Sequence, residues 1–302
     1  MRRRAVAAAA VPAVLAIGAY QADRYLRRKL APAPRDMPHD PDALGLPAEE
    51  IWLESNVGTA LHAWFSPPER PPAPTVVVLH GWGANGSLML PIAPLLRDAG
   101  FGVVVGDARG HGFSETVEQV SLPRFADDLE TFLDFAAGRP EVASCSTIGH
   151  SVGAGAALLV ASRRPDVVAT VAVGSFADPR ELMSQAPAMQ RLPEPLRRGV
   201  FRRMELAMDA RFEEVSPIFT VGDALGPVML VHGSDDPIIP RTDFDRLAEA
   251  AAPGTRALLV EGGVHDRLDE YLPHVPDITA FLAAAHGSAA PSEHLTLRST
   301  RG

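Results

Sequence analysis

Between Ile51 and Val260 the chain alternates short, mostly aliphatic runs with longer amphipathic stretches. The runs Thr75–Leu79, Gly102–Gly106, Cys145–Ile148, Val167–Val173, Pro227–Val231 and Arg256–Val260 lack the every-second-residue polarity of a half-solvated strand, which predicts parallel strands buried on both faces. Ile51–Glu54 and Ala60–Phe65 flank the turn-prone Asn56–Gly58, so they predict an antiparallel hairpin. Leu88–Ala99, Phe125–Ala137, Ala154–Arg163 and Thr242–Ala251 are each long enough to carry the chain back across a sheet as a helix. The pattern therefore predicts an α/β domain over residues 48–286, a mostly parallel central sheet with helices on both faces. Asp178–Phe212 breaks the rhythm. It is helical in character but interrupted by Pro179, Pro187, Pro193 and Pro195 and rich in arginine, and it predicts a small helical lid over residues 178–212.

The two ends of the chain differ from this body. Arg2, Arg3 and Arg4 precede an uncharged stretch, Ala5–Tyr20, which is followed by Arg24, Arg27, Arg28 and Lys29. Sixteen residues of helix span roughly 24 Å against a hydrocarbon core of ~30 Å, a gap that snorkelling basic flanks can close. Residues 1–30 are expected to form a membrane anchor. A cleaved signal peptide ending near Ala19 or Ala22 and a soluble N-terminal helix are the alternatives. Basic residues flank both ends, so orientation is not set. Five prolines in residues 31–47 predict an extended linker, and the Ser-, Thr- and Ala-rich residues 287–302 a disordered tail.

A net charge of -9 removes the basic excess that a nucleic-acid-binding surface carries and leaves small acyl substrates open. With one cysteine, Cys145, the chain forms no internal disulfide and no cysteine-based zinc site. Gly153-x-Gly155 lacks the rest of a dinucleotide signature, so no cofactor is expected.

Gly149-His150-Ser151-Val152-Gly153 stands between a strand and a small-residue helix, the setting of a nucleophile elbow: a tight turn exposes the serine hydroxyl, and the glycines remove the Cβ atoms that would crowd it. Ser151 is the candidate nucleophile. His80-Gly81-Trp82-Gly83 closes an earlier strand, where the backbone N–H groups of Trp82 and Val152 can converge as an oxyanion hole. The loop Gly233-Ser234-Asp235-Asp236-Pro237 supplies the acid: Asp236 is preferred because Pro237 commits its backbone to a turn, with Asp235 and Asp178 as alternatives. His265, after Gly262-Gly263, is the candidate base, giving the chain order Ser, Asp, His. Asp107 and Arg109 are expected to pin loops rather than react.

From about Asn56 to Leu282 the sequence resembles the bacterial α/β-hydrolase family that groups with serine aminopeptidase S33-like and dienelactone-hydrolase-like enzymes, on the stretches HGWGAN, DARGHGFS, GHSVGAG, HGSDDPIIP and GGVH. The resemblance implies the α/β-hydrolase fold, and the triad Ser151, Asp236 and His265 with the oxyanion pair Trp82 and Val152. It departs at Gly153-Ala154, where such families often show two glycines. Ester hydrolysis of short-acyl or small-molecule esters through an acyl-enzyme is the expectation. The same triad serves acyltransferases, thioesterases and peptidases, and a membrane-tethered binding protein without catalysis is the reading from another class.

Overall fold

The computed structural model describes residues 35–288. Eight strands form one sheet in the order β1-β2-β4-β3-β5-β6-β7-β8. Strands β1 (Glu49–Glu54) and β2 (Ala60–Ser66) make the expected hairpin, and β2 pairs antiparallel with β4 (Gly102–Gly106). All further pairs, through β3 (Ala73–Leu79), β5 (Val142–His150), β6 (Val167–Val173), β7 (Val228–Gly233) and β8 (Arg256–Val260), are parallel. Parallel pairing forces each connection to cross the sheet, which collects the C-terminal ends of β3 to β8, and the loops that follow, along one edge.

The crossovers bury one sheet face under α1 (Ile92–Asp98) and the other under α2 (Leu122–Ala137) and α3 (Val152–Ala161). The helix expected over Leu88–Ala99 is broken. A short turn at Gly86–Met89 ends before Pro91, which has no N–H to continue the ladder, and α1 restarts after it. Helix α3 is buried on every side from Gly153 to Ala161, as its uniformly small and aliphatic sequence requires.

The lid segment holds α4 (Pro179–Ser184) and α5 (Glu194–Met208). Leu182, Met208 and Ala210 pack on the core cluster that α2 and α3 share, so the lid sits on that side. Helix α5 has no buried residue. Arg197 and Arg198 pair with Glu194, and Arg202 lies 3.7 Å from Glu205, so these arginines form a charged outer face. Helices α6 (Arg241–Ala250) and α7 (Val275–Ser288) complete the layers, and α7 runs two residues past the expected boundary at 286.

The expected linker departs further. Over residues 35–47 the chain is docked on the domain as a strap: Leu46 is buried, and Met37 and Leu44 pack on the core under α1. The His39 N–H donates to Ser87 Oγ at 2.8 Å, that hydroxyl donates back to the His39 carbonyl, and Asn85 Nδ2 reaches the Asp36 carbonyl. Prolines gave this segment an extended backbone without deciding whether it packs. The expected anchor in residues 1–30, the start of the linker and residues 289–302 lie outside the described residues. Among the described residues no helix is long and apolar enough to cross a membrane.

Candidate active site

The end of β5 runs straight into α3 through Ser151, which holds φ 55° and ψ -114°. A non-glycine residue rarely adopts this conformation, and the surrounding contacts enforce it. A Cβ at Gly149 would stand 2.1 Å from the Gly153 carbonyl oxygen, and one at Gly153 would stand 2.5 Å from the Leu79 and His80 carbonyl oxygens. Both glycines are therefore demanded by close backbone approach, and the sharp turn lifts the serine side chain above the sheet edge.

The loops after β7 and β8 are knitted together. Asp235 N–H donates to the Gly263 carbonyl, Gly262 N–H to Ser234 Oγ at 2.8 Å, and Val264 N–H to the Glu270 carboxylate at 2.9 Å. This brings together side chains far apart in sequence. His265 Nδ1 stands 2.6 Å from Asp236 Oδ2 and Nε2 stands 3.0 Å from Ser151 Oγ. A carboxylate only accepts, so Nδ1 carries the proton and Nε2 is left to accept from the serine hydroxyl. Asp236 Oδ1 takes the N–H groups of Ile238 and Ile239, each at 2.8 Å. Burial pushes the Asp236 pKa upward, yet the His265 hydrogen bond and these backbone donors outweigh it and hold the carboxyl below its usual range.

The other two acid candidates sit elsewhere. Asp235 is exposed and accepts from the Ser234 hydroxyl at 3.0 Å, while Asp178 is buried as the N-cap of α4, paired with the Arg180 guanidinium at 2.9 Å.

Trp82 stands in the turn between β3 and the strap-bound Asn85, its ring stacked on Phe125 at 6.4 Å. Two buried histidines fix this turn. His80 Nδ1–H donates to the Gly81 carbonyl and its Nε2 accepts from Ala108 N–H, and His111 Nδ1–H donates to the Arg109 carbonyl while its Nε2 accepts from Gly83 N–H. Each uses one nitrogen as donor and one as acceptor, an arrangement that only the neutral ring allows. Burial accordingly lowers the pKa of both, that of His111 to about 4. Val152 is the first residue of α3, where a backbone N–H has no acceptor within the helix.

Asp107 accepts from His62 Nδ1 at 2.8 Å, Gly86 N–H at 2.6 Å and Phe113 N–H at 3.0 Å, and the Arg109 guanidinium grips the buried Asp128 through two nitrogens. Asp128 gave no signal in the sequence, because it lies in the middle of α2 among other charged residues. His150 was likewise overlooked as the variable position of its motif. Its Nε2–H donates to the His265 carbonyl at 3.0 Å, so it supports the loop that carries His265. Among the described residues no cluster of His, Cys, Asp or Glu is arranged to hold a metal ion.

Residues 70–219 match the family model described as serine aminopeptidase, S33. An uncharacterized protein of Mycobacterium tuberculosis is 27% identical over 269 residues, covering 88% of this chain and 89% of that one. Among solved structures, the Pyrococcus furiosus esterase Pf2001 aligns with a TM-score of 0.66 at 17% identity, covering 84% of this chain and 98% of the esterase. Est1E from Butyrivibrio proteoclasticus, solved with ferulic acid bound, aligns with a TM-score of 0.66 at 18% identity, covering 78% of this chain and 99% of Est1E. These structural likenesses establish a shared fold.

Proposed function

This chain is a member of the α/β-hydrolase superfamily, and we propose that within it the protein is a serine hydrolase of carboxylic esters that acts through an acyl-enzyme. The observation that carries this reading is the continuous hydrogen-bonded line from Ser151 through His265 to Asp236, with the serine held on a strained turn. In the proposed reaction His265 Nε2 takes the proton of Ser151 as Oγ attacks the ester carbonyl carbon. The imidazolium that forms is stabilised by Asp236, which stays ionised. The N–H groups of Trp82 and Val152 receive the charge on the carbonyl oxygen. His265 then protonates the leaving alcohol, and water repeats the sequence to release the acid. No cofactor enters.

Short-acyl and other small esters are the proposed substrates. The lid offers little apolar surface: α5 has no buried residue, its Phe201 ring lies 5.9 Å from that of Phe212, and its Met208 packs on the core. We place the full chain at a membrane through residues 1–30, on the strength of the apolar run between basic clusters. Fluorophosphonate labelling tests the chemistry: the wild type is labelled at Ser151, and Ser151→Ala is folded, unlabelled and several orders of magnitude slower on esters. Labelling of Ser151→Ala to the same extent would reject the assignment. Fractionation tests the location, since the full chain should sediment with membranes and a chain beginning at Arg35 should not.

A further inference from the structure

On the sheet face away from the lid lies a cavity of about 210 Å³ whose lining includes His150 and Asp266, the residues next to Ser151 and His265 in the chain. Leu88 and Ile92 line one side, Leu268 and Leu272 from the segment after His265 line the other, and Ile148 and Ile278 close it from the sheet and from α7. Polar side chains stand at the rim, where Arg35 of the strap lies 3.7 Å from Asp266, the residue after His265.

His150 is also part of the cavity wall. It directly precedes Ser151, is 4% exposed and touches the His265 loop through Nε2. Its second nitrogen, Nδ1, is buried with no hydrogen-bond partner in the protein. A buried acceptor without a partner in the protein calls for an explanation, and a small molecule or water held against it is one. Apolar walls with a polar rim are the make-up of a ligand pocket rather than of a packing defect.

We propose that this cavity, and not the space beneath the lid, seats the hydrocarbon group of the substrate ester, and that the group is compact: one ring, or a chain of about six carbons. The inference rests on the esterase reading for its chemistry and on the cavity for its size limit. A void of ~150 Å³ lined by aliphatic side chains accepts one benzene ring, so about 210 Å³ takes a ring with a short extension and no more. Each methylene that enters raises kcat/KM by up to about fourfold, and methylenes beyond the limit add nothing. Leu272 is half-buried on the wall, so its side chain can be changed with little disturbance to the core.

The full chain is assayed on two series: p-nitrophenyl esters from acetate through butanoate, hexanoate and benzoate to dodecanoate, and acetates of methyl, butyl, hexyl, benzyl and dodecyl alcohols. In one of them kcat/KM rises at least tenfold up to about six carbons or one ring and then stops rising. A rise in the first series assigns the cavity to the acyl group, and a rise in the second assigns it to the alcohol. Leu272→Trp, which fills the cavity, brings the preference of the responding series to within about threefold of unity, and Leu272→Ala moves the limit to longer groups. Leu88→Trp, from the opposite wall, repeats the first effect if Leu272→Trp does not fold. A preference that survives both tryptophans, a continuous rise through dodecyl, or no rise in either series overturns the proposal. If no ester is turned over at all, the esterase reading fails by itself. The cavity is then decided by benzyl alcohol: it shifts the imidazole resonances of His150 in the wild type and not in Leu272→Trp, and no shift in the wild type overturns the proposal.

Discussion

Replacing Asp236 by asparagine removes one charge from the site and leaves the loop in place. The carboxylate splits its work between two oxygens: Oδ1 accepts from Ile238 and Ile239, and Oδ2 accepts from His265 Nδ1. An asparagine keeps its oxygen where the two backbone donors are, because the opposite orientation turns the amide donor against both of them. The NH₂ group then faces His265 Nδ1, where two donors meet. The imidazole relieves this by moving its proton to Nε2, and that nitrogen can no longer take the proton of Ser151. A tautomer error of this kind costs ~10⁴ in kcat in a serine protease triad, or about 5 kcal/mol of barrier. The assay is kcat on p-nitrophenyl butanoate together with thermal melting. Asp236→Asn is expected to lose about four decades in kcat with its loop bonds and fold retained. Asp235→Asn, at an exposed side chain, should remain within about twofold of the wild type. Asp178→Asn keeps an N-cap oxygen but loses the charge paired with Arg180, and should lower the melting temperature slightly while leaving the pH profile of kcat unchanged. A loss in Asp235→Asn or Asp178→Asn equal to that in Asp236→Asn would refute the reasoning.

Acid should unfold the protein well above the carboxylate range. His111 and His150 are held to pKa values of about 4 and about 3 by burial, and His80 is lowered for the same reason, whereas the same groups titrate near 6.5 when unfolded. The unfolded chain binds more protons below pH ~6.5, so stability present above that pH is lost on the way down to about pH 4, by up to ~1.4 kcal/mol per pH unit for each histidine. Urea unfolding at pH 7.5, 6 and 5 measures the slope, and a midpoint flat to pH 5 would contradict it. Asp236 and Asp107, whose pKa values are lowered, act only below about pH 4. Two glycines should respond in opposite directions. Gly149→Ala drives a Cβ into elbow backbone and should melt several degrees lower, whereas Gly199→Ala, with nothing within 4 Å in exposed α5, should gain ~0.5–1 kcal/mol and melt higher.

The strands, and the candidate residues Ser151, Asp236 and His265 that the structure brings within hydrogen-bond reach of one another, were legible because each is dictated locally. Buried parallel strands need unbroken aliphatic runs, the elbow needs glycine two residues either side of Ser151, and the acid loop needs a fixed turn. Asp236 won over Asp235 on one local signal, Pro237, and the structure brings it to His265 while leaving Asp235 exposed. Features set by distant partners were not legible. The strap is held by Asn85 and Ser87, nearly fifty residues away, and β5 extends through Ser144 and Ser146, whose hydroxyls bond the His286 ring from the far end of the chain. Nothing in the pattern of either segment announces those partners. Helix Leu88–Ala99 failed for a local reason that periodicity alone overrode, the proline at position 91.

The three-way grip of Asp107 on β2, the Gly86 turn and the Phe113 loop also sets a hierarchy of motion. Segments tied to one buried carboxylate open together or not at all, because freeing any one of them strands a charge in the interior. The amides of Gly86 and Phe113 therefore belong to the slowest-exchanging unit of the molecule, released only when the whole sheet edge unfolds. Helix α5, with no buried residue, belongs to the fastest. The two sides of Ser151 therefore differ: the turn that carries Trp82 is anchored to this buried unit, and the exposed helix α5 is not.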